Sequence, residues 1–153
     1  MSWLSDKELI KKIKLNGDRA TRRAFGGVYP IDKLPSQIPY YPFLMIVNTQ
    51  SHNLPGEHWI SIFINEKREG EVFDSLATPS KINLMRWMNR HTRRWKRNYR
   101  RYQHPYSDTC GAFSLFYVLQ RCSSDSLESI TKTFDSSYMK NENIVRAFYN
   151  RLK

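Results

Sequence analysis

Apolar positions recur along this chain with two periods, and the switches between them mark out its elements. Near the start, Ser5-Asp6-Lys7-Glu8 has the spacing of a capping box, and Leu9, Ile10 and Ile13 follow on one helical face. Gly17 is a stop signal, so a helix is predicted over 5–16. From Asp18 to Pro42 the period is broken by Gly26, Gly27, Pro30, Pro35, Pro39 and Pro42. That stretch reads as a long loop able to wall a cleft. Phe43 to Val47 is an unbroken apolar run ending at Asn48, the pattern of a buried strand. Ser51 to Gly56 reads as a turn. Period two then governs His58 to Ile64: Ile60, Ile62 and Ile64 share a face with His58, and Trp59, Ser61 and Phe63 share the other. Asn65 to Gly70 is a hairpin-like turn, and Glu71-Val72-Phe73-Asp74 makes the next strand. Pro79 opens a helix whose stripe, Leu84, Trp87, Met88, His91 and Trp95, recurs at three- and four-residue spacing. Ala112 to Leu119 is apolar nearly all round, a buried helix preceded by the capping residues Ser107, Asp108 and Thr109. Leu127, Ile130 and Phe134, then Ile144, Val145, Phe148, Tyr149 and Leu152, predict two closing helices. The order α–β–β–β–α–(β)–α–α–α is that of an α+β fold, a small and mostly antiparallel central sheet flanked by helices. Residues 1–153 read as one domain.

Two places in this pattern carry candidate chemistry. Cys110 falls at the N-terminal end of the buried helix, where unsatisfied N–H groups and partial positive charge favour a thiolate. Gly111 beside it would let the backbone approach a substrate carbonyl. A thiol nucleophile needs a histidine to take its proton, a group to orient that histidine, and donors for the oxyanion. His58 opens one strand and Asp74 closes its antiparallel neighbour, so the hairpin brings both to one edge of the sheet. His52 and His91 read as structural, and Cys122 as a packing residue.

Composition narrows the class. At 40% hydrophobic and 14% aromatic, the chain should be globular. No apolar run approaches the roughly 20 residues of a membrane span, so no membrane partner is expected. The first residues, MSWLSDKELIKK, lack a signal-peptide core, and secretion is not expected. Two cysteines without CxxC spacing imply reduced thiols and no zinc site. Charge changes the picture most. The net charge is +11, from 25 Lys and Arg against 14 Asp and Glu. Between Ser75 and Ser107 there is no acid, yet Arg90, Arg93, Arg94, Lys96, Arg97, Arg100 and Arg101 cluster there beside Lys81 and Arg86, interleaved with Trp95, Tyr99 and Tyr102. Such clustering suits a phosphate backbone, and no base-reading motif accompanies it, so nucleic acid bound without sequence preference is the expected partner.

Taken in order, His58-Trp59, Asp74 after Val72-Phe73, Gln103, and Cys110-Gly111 opening a helix resemble the adenovirus protease (adenain) family of cysteine endopeptidases, and more distantly the SUMO-specific proteases. The likeness runs along most of the chain, through the Ser-x-x-Glu-Leu start, Ile46 to Thr49, Gly56 to Trp59 and the Gln103-to-Cys110 interval. The resemblance implies a papain-like fold with the nucleophile at the N-terminus of a buried central helix. It makes Cys110 the nucleophile, His58 the general base and Asp74 its orienting acid. Gln103 becomes the oxyanion donor together with the Cys110 N–H, although Tyr102 and His104 are close alternatives. Trp59 would pack beside the dyad. The implied substrates are viral capsid or core precursors, cleaved during virion maturation in the virion and host cell nucleus or cytoplasm. No cofactor is needed for the chemistry, the resemblance makes the nucleic acid double-stranded DNA acting as activator, and a monomer is expected. Three departures stand out: the acid is Asp where the adenovirus enzyme has Glu, the chain is shorter, and the segment before Cys110 holds no cysteine. A peptide activator held by a disulfide there is therefore not expected. The rival readings are an isopeptidase acting on a ubiquitin-like modifier and a non-catalytic DNA-binding module.

Overall fold

The computed structural model describes residues 4–50 and 58–153, so the turn expected over Ser51 to Gly56, His52 within it, lies outside the described residues. Three antiparallel strands form the middle of the sheet: β2 (Phe43–Asn48), β3 (Trp59–Ile64) and β4 (Glu69–Phe73). Ile46 sits opposite Ser61, and Ser61 opposite Phe73. Each outer strand joins in parallel: β1 (Phe25–Pro30) beside β2, and β5 (Arg94–Arg97) beside β4.

The period-two pattern of β3 sorts its side chains as expected. Trp59 and Phe63 join Leu44, Ile46 and Phe73 in one apolar cluster, and Ile60, Ile62 and Ile64 join Met45, Val47 and Val72 in another. Helix α4 (Cys110–Arg121) covers the first face. Helix α3 (Ile82–His91) covers the second with Leu84, Trp87 and Met88. Helix α1 (Asp6–Asn16) carries the predicted capping box, with Ser5 Oγ accepting from Glu8 N–H at 3.1 Å. Helices α5 (Leu127–Thr131) and α6 (Tyr138–Arg151) close the fold over α4.

The stretch from Asp18 to Pro42, expected as a loop, holds two elements. Helix α2 (Arg19–Ala24) starts where Asp18 Oδ1 accepts from Thr21 N–H at 2.8 Å, and Thr21 and Ala24 are buried. Strand β1 follows, through a register shift between Phe25 and Gly27. Its glycines and Pro30 resemble a turn because their local preference is for one; pairing with β2 overrides that preference. Gly26 is needed for close packing, since a Cβ there would lie 2.2 Å from the Phe43 ring. Trp95 does not extend the α3 stripe. The helix ends at Thr92, and Trp95 lies in β5 opposite Gly70.

A buried ion pair sets how α4 lies along the sheet. Glu71, 5% exposed, accepts from Arg121 Nε and Nη2 at 2.8 and 2.9 Å, from Tyr117 Oη at 2.6 Å and from Leu127 N–H at 3.2 Å. Fork geometry with every oxygen engaged is the arrangement that makes a buried carboxylate tolerable. It pins the far end of α4 to β4. The Phe73 ring stacks on Tyr117 at 5.1 Å, worth about 1 kcal/mol beyond its burial. The first residue of α4 thereby arrives at the end of the sheet where β3 begins and β4 finishes.

Candidate active site

His58 precedes β3, Asp74 follows β4 and Cys110 begins α4, and the fold brings the three together. His58 Nε2 lies 2.6 Å from Asp74 Oδ1. The other ring nitrogen, Nδ1, is buried without a hydrogen-bond partner among the described residues and is the one left for Cys110. Burial alone would lower the basicity of His58. The hydrogen bond to Asp74, the Cys110 thiol and the charge on Asp74 outweigh it and push the imidazole up to about 9. Cys110 itself is fully buried.

Asp74 is held by more than the histidine. Its Oδ1 also accepts from Leu76 N–H at 2.9 Å, and its Oδ2 accepts from Thr78 Oγ1 at 2.7 Å and Thr78 N–H at 3.2 Å. Burial would raise this carboxyl, yet His58, Thr78 and Leu76 together hold it below the usual carboxylate value. Asn98 clamps its backbone from both sides, accepting from Asp74 N–H at 2.8 Å and donating to Asp74 O at 2.7 Å. Arg97 turns inward, with Nη2 3.9 Å from Asp74 Oδ2 and Nη1 donating to Ser80 Oγ at 2.7 Å.

Gln103 is 1% exposed, and its side-chain amide is oriented at both ends. Its Oε1 accepts from Ser75 Oγ at 2.5 Å, and its Nε2 donates to Ser107 O at 3.0 Å. Tyr102 and His104 do not compete for this place. Tyr102 packs in the core beside Phe134, and His104 is exposed. The expected side-chain cap on α4 is absent. Thr109 has φ −89° and ψ 6°, away from the extended backbone of a capping residue, and its hydroxyl turns toward Ser107 and Glu142. The first N–H groups of α4 thus have no side-chain cap.

Gly111 has a structural reason to be glycine: a Cβ there would lie 2.9 Å from Leu4 Cδ1. Trp59, 5% exposed, donates its indole N–H to Leu4 O at 2.9 Å and shares the Cys110 cluster. Cys122 sits at the other end of α4, where burial raises its thiol. His91 packs on Trp87 at 4.5 Å. Beside His58 and Asp74, a cavity of about 260 Å³ is lined by Ile31, Ile60, Val72, Leu84, Thr49 and Lys81, without Cys110. Among the described residues, no group of His, Cys, Asp and Glu could hold a metal ion.

Of the basic run, Arg90, Arg93, Arg94, Lys96, Arg100 and Arg101 are exposed, and Arg97 is withdrawn toward Asp74. The acids missing from the run in sequence are partly supplied from elsewhere in the fold. Arg94 pairs with Glu69, and Lys96 with Glu128 at 2.9 Å. Ser75, Asn98, Thr78 and Glu142 escaped the reading of the sequence. For Glu142 a signal existed: the stripe Val145, Phe148 and Tyr149, continued back by three and four residues, lands on Asn141 and Glu142.

No protein-family model and no curated protein sequence matches the chain. Solved structures do. A selenomethionine structure of an ASFV protease aligns at 24% identity and TM-score 0.54, covering 71% of this chain and 44% of that one. A second structure of the same protease aligns at 17% identity and TM-score 0.61, covering 95% and 65%. The SUMO protease Ulp1, solved with its catalytic cysteine oxidised to a sulfinic acid, aligns at 13% identity and TM-score 0.52, covering 94% and 74%. The chain therefore spans less than two thirds of the ASFV protease chains it matches. The fold is that of the SUMO-protease-like, papain-like cysteine proteases: a mixed sheet flanked by helices, with a cysteine at the head of the buried one.

Proposed function

We propose that this chain is a cysteine protease of adenain type that hydrolyses peptide bonds in viral precursor proteins. The observation that carries the reading is the His58 imidazole, with Nε2 on Asp74 and Nδ1 left for Cys110 at the head of α4. His58 takes the Cys110 proton, and the thiolate attacks the scissile carbonyl carbon. The negative charge that forms on the carbonyl oxygen is met by the Cys110 N–H and by the second hydrogen of Gln103 Nε2, the first being given to Ser107 O. The imidazolium returns its proton to the leaving amine as the C–N bond breaks. Water, deprotonated by His58, then hydrolyses the thioester and frees the thiol. Asp74 keeps the ring oriented and stabilises its cationic form.

The exposed arginines Arg90, Arg93, Arg100 and Arg101 support a DNA-bound, DNA-stimulated enzyme that follows the polyanion to its substrates in the virion or host nucleus. The deciding experiment is hydrolysis of a fluorogenic peptide by wild type and Cys110→Ala, each with and without duplex DNA. Cleavage that needs Cys110 and rises with DNA is expected. Cleavage only of a substrate ending in the Gly-Gly of a ubiquitin-like modifier would move the reading to an isopeptidase. Equal signals from wild type and Cys110→Ala would refute the enzyme.

A further inference from the structure

The loop from Gln103 to Cys110 carries both proposed oxyanion donors, and one buried carboxylate outside it holds it in place. Glu142, on α6, is 8% exposed. Its Oε2 accepts from His104 N–H at 3.0 Å, and its Oε1 accepts from Ser107 Oγ at 2.6 Å and Thr109 Oγ1 at 3.1 Å. The Ser107 and Thr109 hydroxyls also lie 2.6 Å apart, and with one proton each they share three short contacts, two of which end on Glu142 Oε1. Arg146 Nη2 approaches the same Oε1 at 3.3 Å from the solvent side. The preceding residue grips the other end of the loop: Asn141 Nδ2 donates to Tyr102 O at 3.1 Å.

Two consequences meet at the reacting centre. The first concerns Gln103. Its Nε2 donates to Ser107 O, so the place of the amide depends on where Ser107 is held, and Ser107 is held by Glu142. The second concerns the head of α4. Thr109 is the N-cap residue, yet its hydroxyl is drawn into the Glu142 network and makes no cap. Among the described residues, the leading N–H groups then have no side-chain acceptor. A serine or threonine cap accepts from the second or third N–H, here Gly111 or Ala112, and would put a partly negative oxygen beside the Cys110 N–H that the oxyanion is proposed to use.

We propose that Glu142 is a positioning residue for the oxyanion site: it fixes Gln103 through Ser107 and keeps the N-terminus of α4 uncapped through Thr109. This rests on the protease reading above and adds the part of it that a Cys-His-Asp set does not contain. It calls for no contact between Glu142 and substrate.

Glu142→Gln keeps the size of the side chain but has one acceptor oxygen for donors that now meet two, so the loop loses part of its anchor. Two reactions separate the oxyanion site from the dyad. Peptide hydrolysis passes through an oxyanion, whereas alkylation of Cys110 by iodoacetamide needs only the thiolate. Hydrolysis by Glu142→Gln is expected to fall on the order of tenfold to a hundredfold in kcat, with alkylation no slower than in wild type. Ser107→Ala, which removes one donor and leaves the carboxylate in place, is expected to show the same split with a smaller loss. Unchanged hydrolysis in Glu142→Gln overturns the proposal, and so does a parallel fall of hydrolysis and alkylation, which would mark damage to the dyad or the fold. A wild type with no hydrolysis refutes the protease reading instead. Glu142 is then read by hydrogen exchange: faster exchange at the His104 amide in Glu142→Gln supports the anchor, and unchanged exchange overturns it.

Discussion

Asp74→Asn tests the electrostatics of the dyad. In the folded protein His58 ionises at about 9, against 6.5 for an ordinary histidine. At about 1.4 kcal/mol per pH unit, that gap is about 3 kcal/mol in favour of the imidazolium. It is what remains after burial has worked the other way, so the attractive contributions are larger than the net. Asp74 supplies the first of them, through a 2.6 Å hydrogen bond, and its charge as well. An amide in its place keeps the shape and loses the charge. Burial then works against Cys110 alone, and the imidazole falls from about 9 toward its ordinary 6.5. In a Cys-His enzyme the imidazolium protonates the leaving amine, so activity declines as His58 loses its proton. The alkaline limb of kcat/KM against pH is expected near 9 in wild type, and up to about two units lower in Asp74→Asn. Stability follows the same shift. The raised pKa of His58 contributes stability that is fully present below about 6.5 and lost as pH rises through about 9. Asp74, held low, contributes stability present above about 3.8 and lost as pH falls through its lowered value. The thermal midpoint of wild type should therefore decline between about 6.5 and 9, and that slope should shrink in Asp74→Asn. An alkaline limb that stays where it was would refute the assignment of Asp74 as the partner of His58.

Three further perturbations probe other parts of the fold. Gln103→Ala is expected to lower kcat by about 10²–10³ while leaving iodoacetamide alkylation of Cys110 unchanged, and a loss under about threefold would remove Gln103 from the oxyanion site. Arg121→Met strands the Glu71 carboxylate with fewer donors and should cost about 3–5 kcal/mol in urea unfolding; pairing it with Glu71→Leu should recover most of that, and a single variant as stable as wild type would show that the pair does not pin α4. Reversing Arg90, Arg93 and Arg100 to Glu should weaken duplex DNA binding and reduce the slope of log affinity against log salt by about 0.9 for each lost phosphate contact, whereas an unchanged slope would place the DNA elsewhere.

The placement of Cys110, His58 and Asp74 was legible in the chain because all three stand at the ends of regular elements. Cys110 was found from an apolar helix and its polar lead-in, and His58 and Asp74 from a hairpin whose period of two sets which strand ends share an edge. Such relations depend on local geometry, which a sequence states directly. What escaped was set by contacts between distant segments. Strand β1 is Gly- and Pro-rich, and becomes a strand only by pairing with β2. Trp95 has helical spacing from α3, but Thr92 ends that helix and the sheet takes the tryptophan. Arg97 looks like its neighbours in the basic run, and only the folded chain turns it toward Asp74 while Arg94 and Lys96 find acids on β4 and α5. Gly111 has a glycine's freedom in sequence and a packing reason in space, because Leu4 occupies the room a Cβ would need. The sequence by itself determined which strand and helix ends would bear Cys110, His58 and Asp74. The tertiary structure decided how the site is held, since Ser75, Asn98 and Glu142 are linked to Gln103, Asp74 and the Cys110 loop by hydrogen bonds between segments 24 to 38 residues apart, a separation at which no local periodicity survives.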